Sequence, residues 1–116
     1  MSATKQQLAN AGYAISVADD WATVAASQTD SVLGAGGGEV GDYLGQLICV
    51  VATAATSQVQ IRDGNGAAIT VLPNSVGQGV GTYVISIGAK CKNATTPGWK
   101  ITTGAGVSVL ATGAWR

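Results

Sequence analysis

From Tyr43 onward the chain is a succession of short runs rich in Val, Ile and Thr, each closed by Gly, Asn or Pro. No segment between them carries the apolar spacing of about 3.6 residues that marks an amphipathic helix. That combination confines the fold to the all-β class, in which small domains close as a sandwich or jelly roll. Tyr43 to Ala52 is apolar on both faces through its middle, which predicts a strand in the interior of a sandwich. Gln58 to Arg62 alternates, turning Val59 and Ile61 inward and Gln60 outward. Asp63-Gly64-Asn65-Gly66 then supplies Asp-Gly and Asn-Gly, which tolerate the positive φ of hairpin turns, and joins that strand to Ala68 to Leu72.

Pro73 ends this strand by removing a ladder donor, and Asn74 to Gly81 reads as a long loop. Thr82 to Gly88 alternates again, with Tyr83, Ile85 and Ile87 on one face. After a polar turn over Asn93 to Gly98, Trp99 to Thr103 and Gly106 to Thr112 form a last pair of strands. Upstream, Trp21 to Ala26 and Ser31 to Leu33 are shorter candidates, making about seven strands.

The segment before residue 21 has a different texture. Thr4 and Gln7 have capping-box spacing, predicting a short helix over Lys5 to Asn10. Tyr13, Ile15 and Val17 alternate with Ala14, Ser16 and Ala18, the signature of an extended segment. Residues 1–20 therefore read as an N-terminal arm and residues 21–116 as the sandwich body, with a Gly-rich loop at 34–41 around Gly34-Ala35-Gly36-Gly37-Gly38.

With 116 residues and 17 glycines, the body orders a flexible chain around a modest core, which favours self-association as a source of stability. The net charge is zero and the six basic residues are dispersed, so a phosphate-neutralising face is not expected and nucleic acid is not a predicted partner. No stretch approaches the roughly 20 apolar residues of a membrane span, and the N-terminus lacks the apolar core of a secretory signal. The expected site of synthesis is a cytoplasm. Cys49 and Cys91 could pair, but Cys49 sits in the apolar run Leu47 to Val51, and the reading favoured here is two reduced, buried thiols.

Chemistry is hard to build from this chain. Without any His, a nucleophile would need Lys or a carboxylate as its base, and Cys49 has neither nearby in sequence. Glu39 with Asp42, or Asp19 with Asp20, would be needed for a two-carboxylate hydrolase, and they read instead as solvated loop acids. The Asp63 turn lacks the later oxygen ligands of a calcium loop, and two cysteines 42 positions apart do not make a zinc site. No enzyme, metal or cofactor is expected.

The stretches Val24 to Gly34, Gly41 to Leu44 and Trp99 to Val107 resemble small virion proteins of tailed bacteriophages, with the likeness running over about residues 21–113. The nearest functional family is the capsid decoration, or cement, proteins. The resemblance implies a protein that binds the outer face of an assembled capsid, bridges major capsid protein subunits, associates as a dimer or trimer, and resides in the virion. Another virion part, from the tail, neck or fibre, is the alternative. A carbohydrate-binding sandwich stacking sugars on Trp21, Trp99 or Trp115 is a further one. Candidate partner contacts are Tyr13, Ile15 and Val17 in the arm, Trp21 at the start of the body, and Trp115 and Arg116 at an end expected to be exposed.

Overall fold

A computed structural model of the chain describes residues 20–34, 38–74 and 79–115. The helix expected over Lys5 to Asn10, the arm contacts Tyr13, Ile15 and Val17, and Arg116 lie outside the described residues. Within them the fold is all-β. Eight strands, each within or overlapping a segment the sequence offers, follow in order: β1 (Asp20–Val24), β2 (Ser31–Val32), β3 (Tyr43–Val51), β4 (Val59–Asp63), β5 (Ile69–Leu72), β6 (Gly81–Lys90), β7 (Trp99–Thr103) and β8 (Val107–Ala114). A 3-10 turn over Ala54–Thr56 occupies the small-residue break between β3 and β4.

The strands form two antiparallel sheets of four, ordered β1-β8-β3-β6 and β2-β7-β4-β5. β4 pairs with β5, β3 with β6, β2 with β7 and β1 with β8, a nested set in which each successive pair encloses the last. The Asp63 to Gly66 turn is the tip of this nest, as its sequence predicts. Gly64 takes a φ of 58°, and Gly66 N–H donates to the Asp63 carbonyl at 2.9 Å.

Alternation places one side of every strand but the two-residue β2 against a shared core. Leu47, Cys49 and Val51 from β3, Val59 and Ile61 from β4, Ile101 from β7, and Val107, Val109 and Ala111 from β8 all lie within it. The expected inward pair Val59 and Ile61 is thus observed, and Gln60 turns out to bond Thr70 Oγ1 at 3.1 Å.

One expectation about β3 is corrected. Its apolar run predicted cover on both sides, yet the chain covers only one: Val50 on the outward side is 48% exposed and Ile48 is half-buried. A bulge between Leu44 and Gln46, at Gly45, lets Leu44 and Leu47 both face inward although they are three positions apart.

Candidate functional site

The outward side of the β1-β8-β3-β6 sheet can be read row by row from the strand registers. Trp21, Thr112, Gln46 and Ser86 stand side by side in the first row. Thr23, Leu110, Ile48 and Val84 form the second, and Ser108, Val50 and Thr82 the third. None of these positions holds an ionisable group. Trp21 is 69% exposed and Val84 59%, so the apolar members meet solvent.

At one end of the rows the surface sinks into a depression of about 390 Å3 beside Tyr43. Gly45 and Gly88 flank the ring: a Cβ on Gly45 would lie 3.4 Å from Tyr43 Cε1, and one on Gly88 3.7 Å from its hydroxyl, both ordinary contact distances.

The opposite sheet shows what an ordinary wet face of this fold looks like. Its outward residues include Lys100 opposite Arg62, and Gln60 between Thr102 and Thr70. Arg62 also forms an ion pair with Asp30 at 2.8 Å and donates to the Gly66 carbonyl at 2.9 Å. One sheet is therefore laced with charge through its middle, whereas the three rows of the other carry none, and its outward charge, Lys90, stands at the far end of β6 opposite Tyr43.

With strands about 4.8 Å apart and three rows spanning about 20 Å, the uncharged face presents roughly 400 Å2. That is about half of the roughly 800 Å2 per partner in a standard protein interface. Used alone, it supports a weak contact, made strong only by repetition or by further surface.

The three tryptophans divide by role. Trp99 is 6% exposed, and its Nε1–H donates to the Asp42 carbonyl at 3.1 Å. Trp115 was expected to be exposed, and the structure corrects this: it is half-buried, packs on the core, and its backbone N–H donates to Asp20 Oδ2 at 2.8 Å. The cause is β8, which runs to Ala114 between two other strands and carries Trp115 over Gly113. Only Trp21 lies on an open face.

The acids are corrected in the same way, because several brace loops instead of pointing into water. Asp42 is 1% exposed, and its Oδ2 accepts the Glu39 N–H at 3.0 Å. Asp63 accepts the N–H groups of Lys92 and Asn93 at 3.0 and 3.2 Å, tying the β4–β5 hairpin to the loop after β6. Both cysteines are buried thiols without a disulfide, as expected. Burial pushes the Cys49 thiol up to about 11, which keeps it protonated and unreactive near neutrality. Among the described residues no three metal-ligating side chains converge.

Sequence reasoning named Trp21 but missed the rest of the uncharged face, including Tyr43, Leu110 and Val84. The signal was present in the two-sided apolar character of β3, which was assigned to the interior. Comparison of the chain with protein-family models, with curated proteins and with solved structures returns no match.

Proposed function

We propose that this chain is a non-enzymatic capsid decoration protein of a bacteriophage: a β-sandwich of jelly-roll type that seats its uncharged sheet face on the outer surface of an assembled capsid and strengthens contacts between major capsid protein subunits. The nested pairing of β1 with β8, β2 with β7, β3 with β6 and β4 with β5 supports the jelly-roll reading, since rolling up one long hairpin produces that order. The resemblance of three sequence stretches to small virion proteins supports the capsid. The observation that carries the binding role is the charge-free outer face bearing Trp21, Ile48, Leu110 and Val84. A contact of this modest size suits a lattice, where the same weak interaction recurs over many equivalent positions and gains by avidity.

The test is co-sedimentation with purified expanded capsids lacking the protein. The wild-type chain should bind at on the order of hundreds of copies per particle, whereas Val84→Lys should lose binding and Thr70→Lys, on the charged face, should not. Saturation at about a dozen copies would favour a tail or neck location instead. Equal binding by both variants would remove the face from the function.

A further inference from the structure

We propose that β6 accepts an added strand from a second copy of this chain, namely the segment Gly12 to Ala18. The inference needs no capsid and stands independently of the decoration role. Three observations converge on it.

First, β6 is the longest strand, at 10 residues, and it lies at a sheet edge, paired among the described strands with β3 alone. Its far side offers a row of backbone donors and acceptors, a template for pairing with another chain. The bulge at Gly45, opposite Ile87 and a left-handed Gly88 (φ 66°), disrupts only the Lys90 end, leaving Gly81 to Ser86 regular.

Second, the inner side of β6 is under-covered. Tyr83, Ile85 and Ile87 face inward yet are only half-buried, whereas Leu47, Cys49 and Val51 on neighbouring β3 are 0, 0 and 1% exposed. The opposing strand β5 is only four residues long, with Ile69 55% exposed. An open cleft of about 770 Å3 lies at the Lys90 end of these two edges, lined by Ile69, Ala89, Lys90, Lys92 and Trp99.

Third, the sequence contains a matching stretch outside the described residues. Tyr13-Ala14-Ile15-Ser16-Val17 repeats the order of Tyr83-Val84-Ile85-Ser86-Ile87: Tyr, then Ile, then a β-branched residue on one face, with Ser at the same outward place. Paired along β6, it would direct Tyr13, Ile15 and Val17 towards the half-covered side.

Reach decides which copy donates. The segment leads into Asp20, the first residue of β1, which is the opposite edge of the same sheet. A strand added beyond β6 lies four strand spacings from β1, about 19 Å. Two residues lie between Val17 and Asp20, and the three backbone steps joining them span at most about 11 Å when fully extended. The donor with Tyr13 to Val17 engaged is therefore another copy.

Sedimentation equilibrium of the full chain, joined to hydrogen exchange, tests this. The wild-type chain should self-associate, and Ile15→Asp with Val17→Asp should weaken association at least about 100-fold, or about 2.8 kcal/mol at 1.4 per tenfold. Ile85→Thr, which keeps a β-branched residue in the acceptor strand, should act in the same direction. Amides from Thr82 to Ile87 should exchange slowly in the associated wild type and faster in the arm variant. A wild-type chain that stays monomeric at about 100 μM, an arm variant that associates as tightly as wild type, or unchanged β6 exchange would each overturn the proposal.

Discussion

Three glycines separate two physical reasons for needing glycine, and their replacement by Ala gives the sharpest test of the fold. Gly88 has a φ of 66° but open surroundings, with its nearest neighbour, the Tyr43 hydroxyl, 3.7 Å from a Cβ placed there. Gly104 has ordinary backbone angles, but a Cβ would overlap the Thr56 carbonyl oxygen. Gly64 combines both conditions, with a φ of 58° and a Cβ overlapping the Thr96 carbonyl and the Asn93 side chain. Left-handed backbone costs Ala about 1–2 kcal/mol, offset by about 0.5 kcal/mol because Ala restricts the unfolded chain. Overlap with fixed backbone costs about 1–3 kcal/mol. Gly88→Ala should then lose about 1 kcal/mol, Gly104→Ala about 1–2, and Gly64→Ala about 3–4. In the last case the two loops must also part, straining the 2.9 Å bond from Gly64 N–H to the Gly98 carbonyl. Urea unfolding at one fixed protein concentration, with the midpoint compared at constant slope, measures all three. A Gly64→Ala loss below about 1 kcal/mol, or one smaller than that of Gly88→Ala, would refute the close approach of the hairpin tip to the 93–96 loop.

Two further predictions follow from single buried groups. Cys49 is held neutral in the fold, with its thiol raised from 9.0 to about 11. Its contribution is thus complete below pH 9.0 and is lost as pH climbs towards about 11. Over that window the wild type should lose about 2–3 kcal/mol more than Cys49→Ala, measured by unfolding at each pH. Among the tryptophans, Trp99→Phe removes one of two donors to the Asp42 carbonyl, which keeps the Cys91 N–H at 2.9 Å, and should cost about 0.5–1.5 kcal/mol by thermal unfolding. Trp115→Phe removes an enclosed Nε1–H that has no acceptor among the described residues, and should cost less than Trp99→Phe in the same assay.

Strand positions were legible wherever alternation met turn chemistry. Trp99–Thr103 is found at its predicted bounds, and the Asp63 to Gly66 turn joins β4 to β5 as its Asp-Gly and Asn-Gly pairs require. β6 outran its prediction to Lys90 because pairing with β3 resumes beyond the Gly45 bulge, where Tyr43 meets Lys90. A bulge is a property of two strands, so neither sequence displays it alone. The roles of the acids were hidden for the same reason: Asp63 caps N–H groups 29 and 30 positions away, and Trp115 meets Asp20 across 95. Trp21 could be picked out in the sequence as a candidate contact, but not its neighbours, since the rows joining Leu110, Ile48 and Val84 exist only once three strands are in register.

The two sheets act as controls for each other on why the uncharged face is apolar. Strand propensity alone would fill outward positions with β-branched residues on both sheets, and Thr70 and Thr102 meet that need on the charged face without being apolar. Leu110 and Trp21 go further: Leu has no branch at Cβ, and Trp exposes a large apolar surface, so a preference for contact explains them better than a preference for strand. The face alone is nevertheless about half the size a stable interface needs. A strand added at β6 lies beside Thr82, Val84 and Ser86, and the outward residues of Gly12 to Ala18 include Ala14 and Ser16, both uncharged. Such a strand would widen the face by a fifth column, about a quarter more area, without bringing in charge. If the two proposals both hold, self-association through the edge and docking through the face would be coupled, and a variant that blocks the edge should weaken capsid binding even though it leaves every residue of the original face in place.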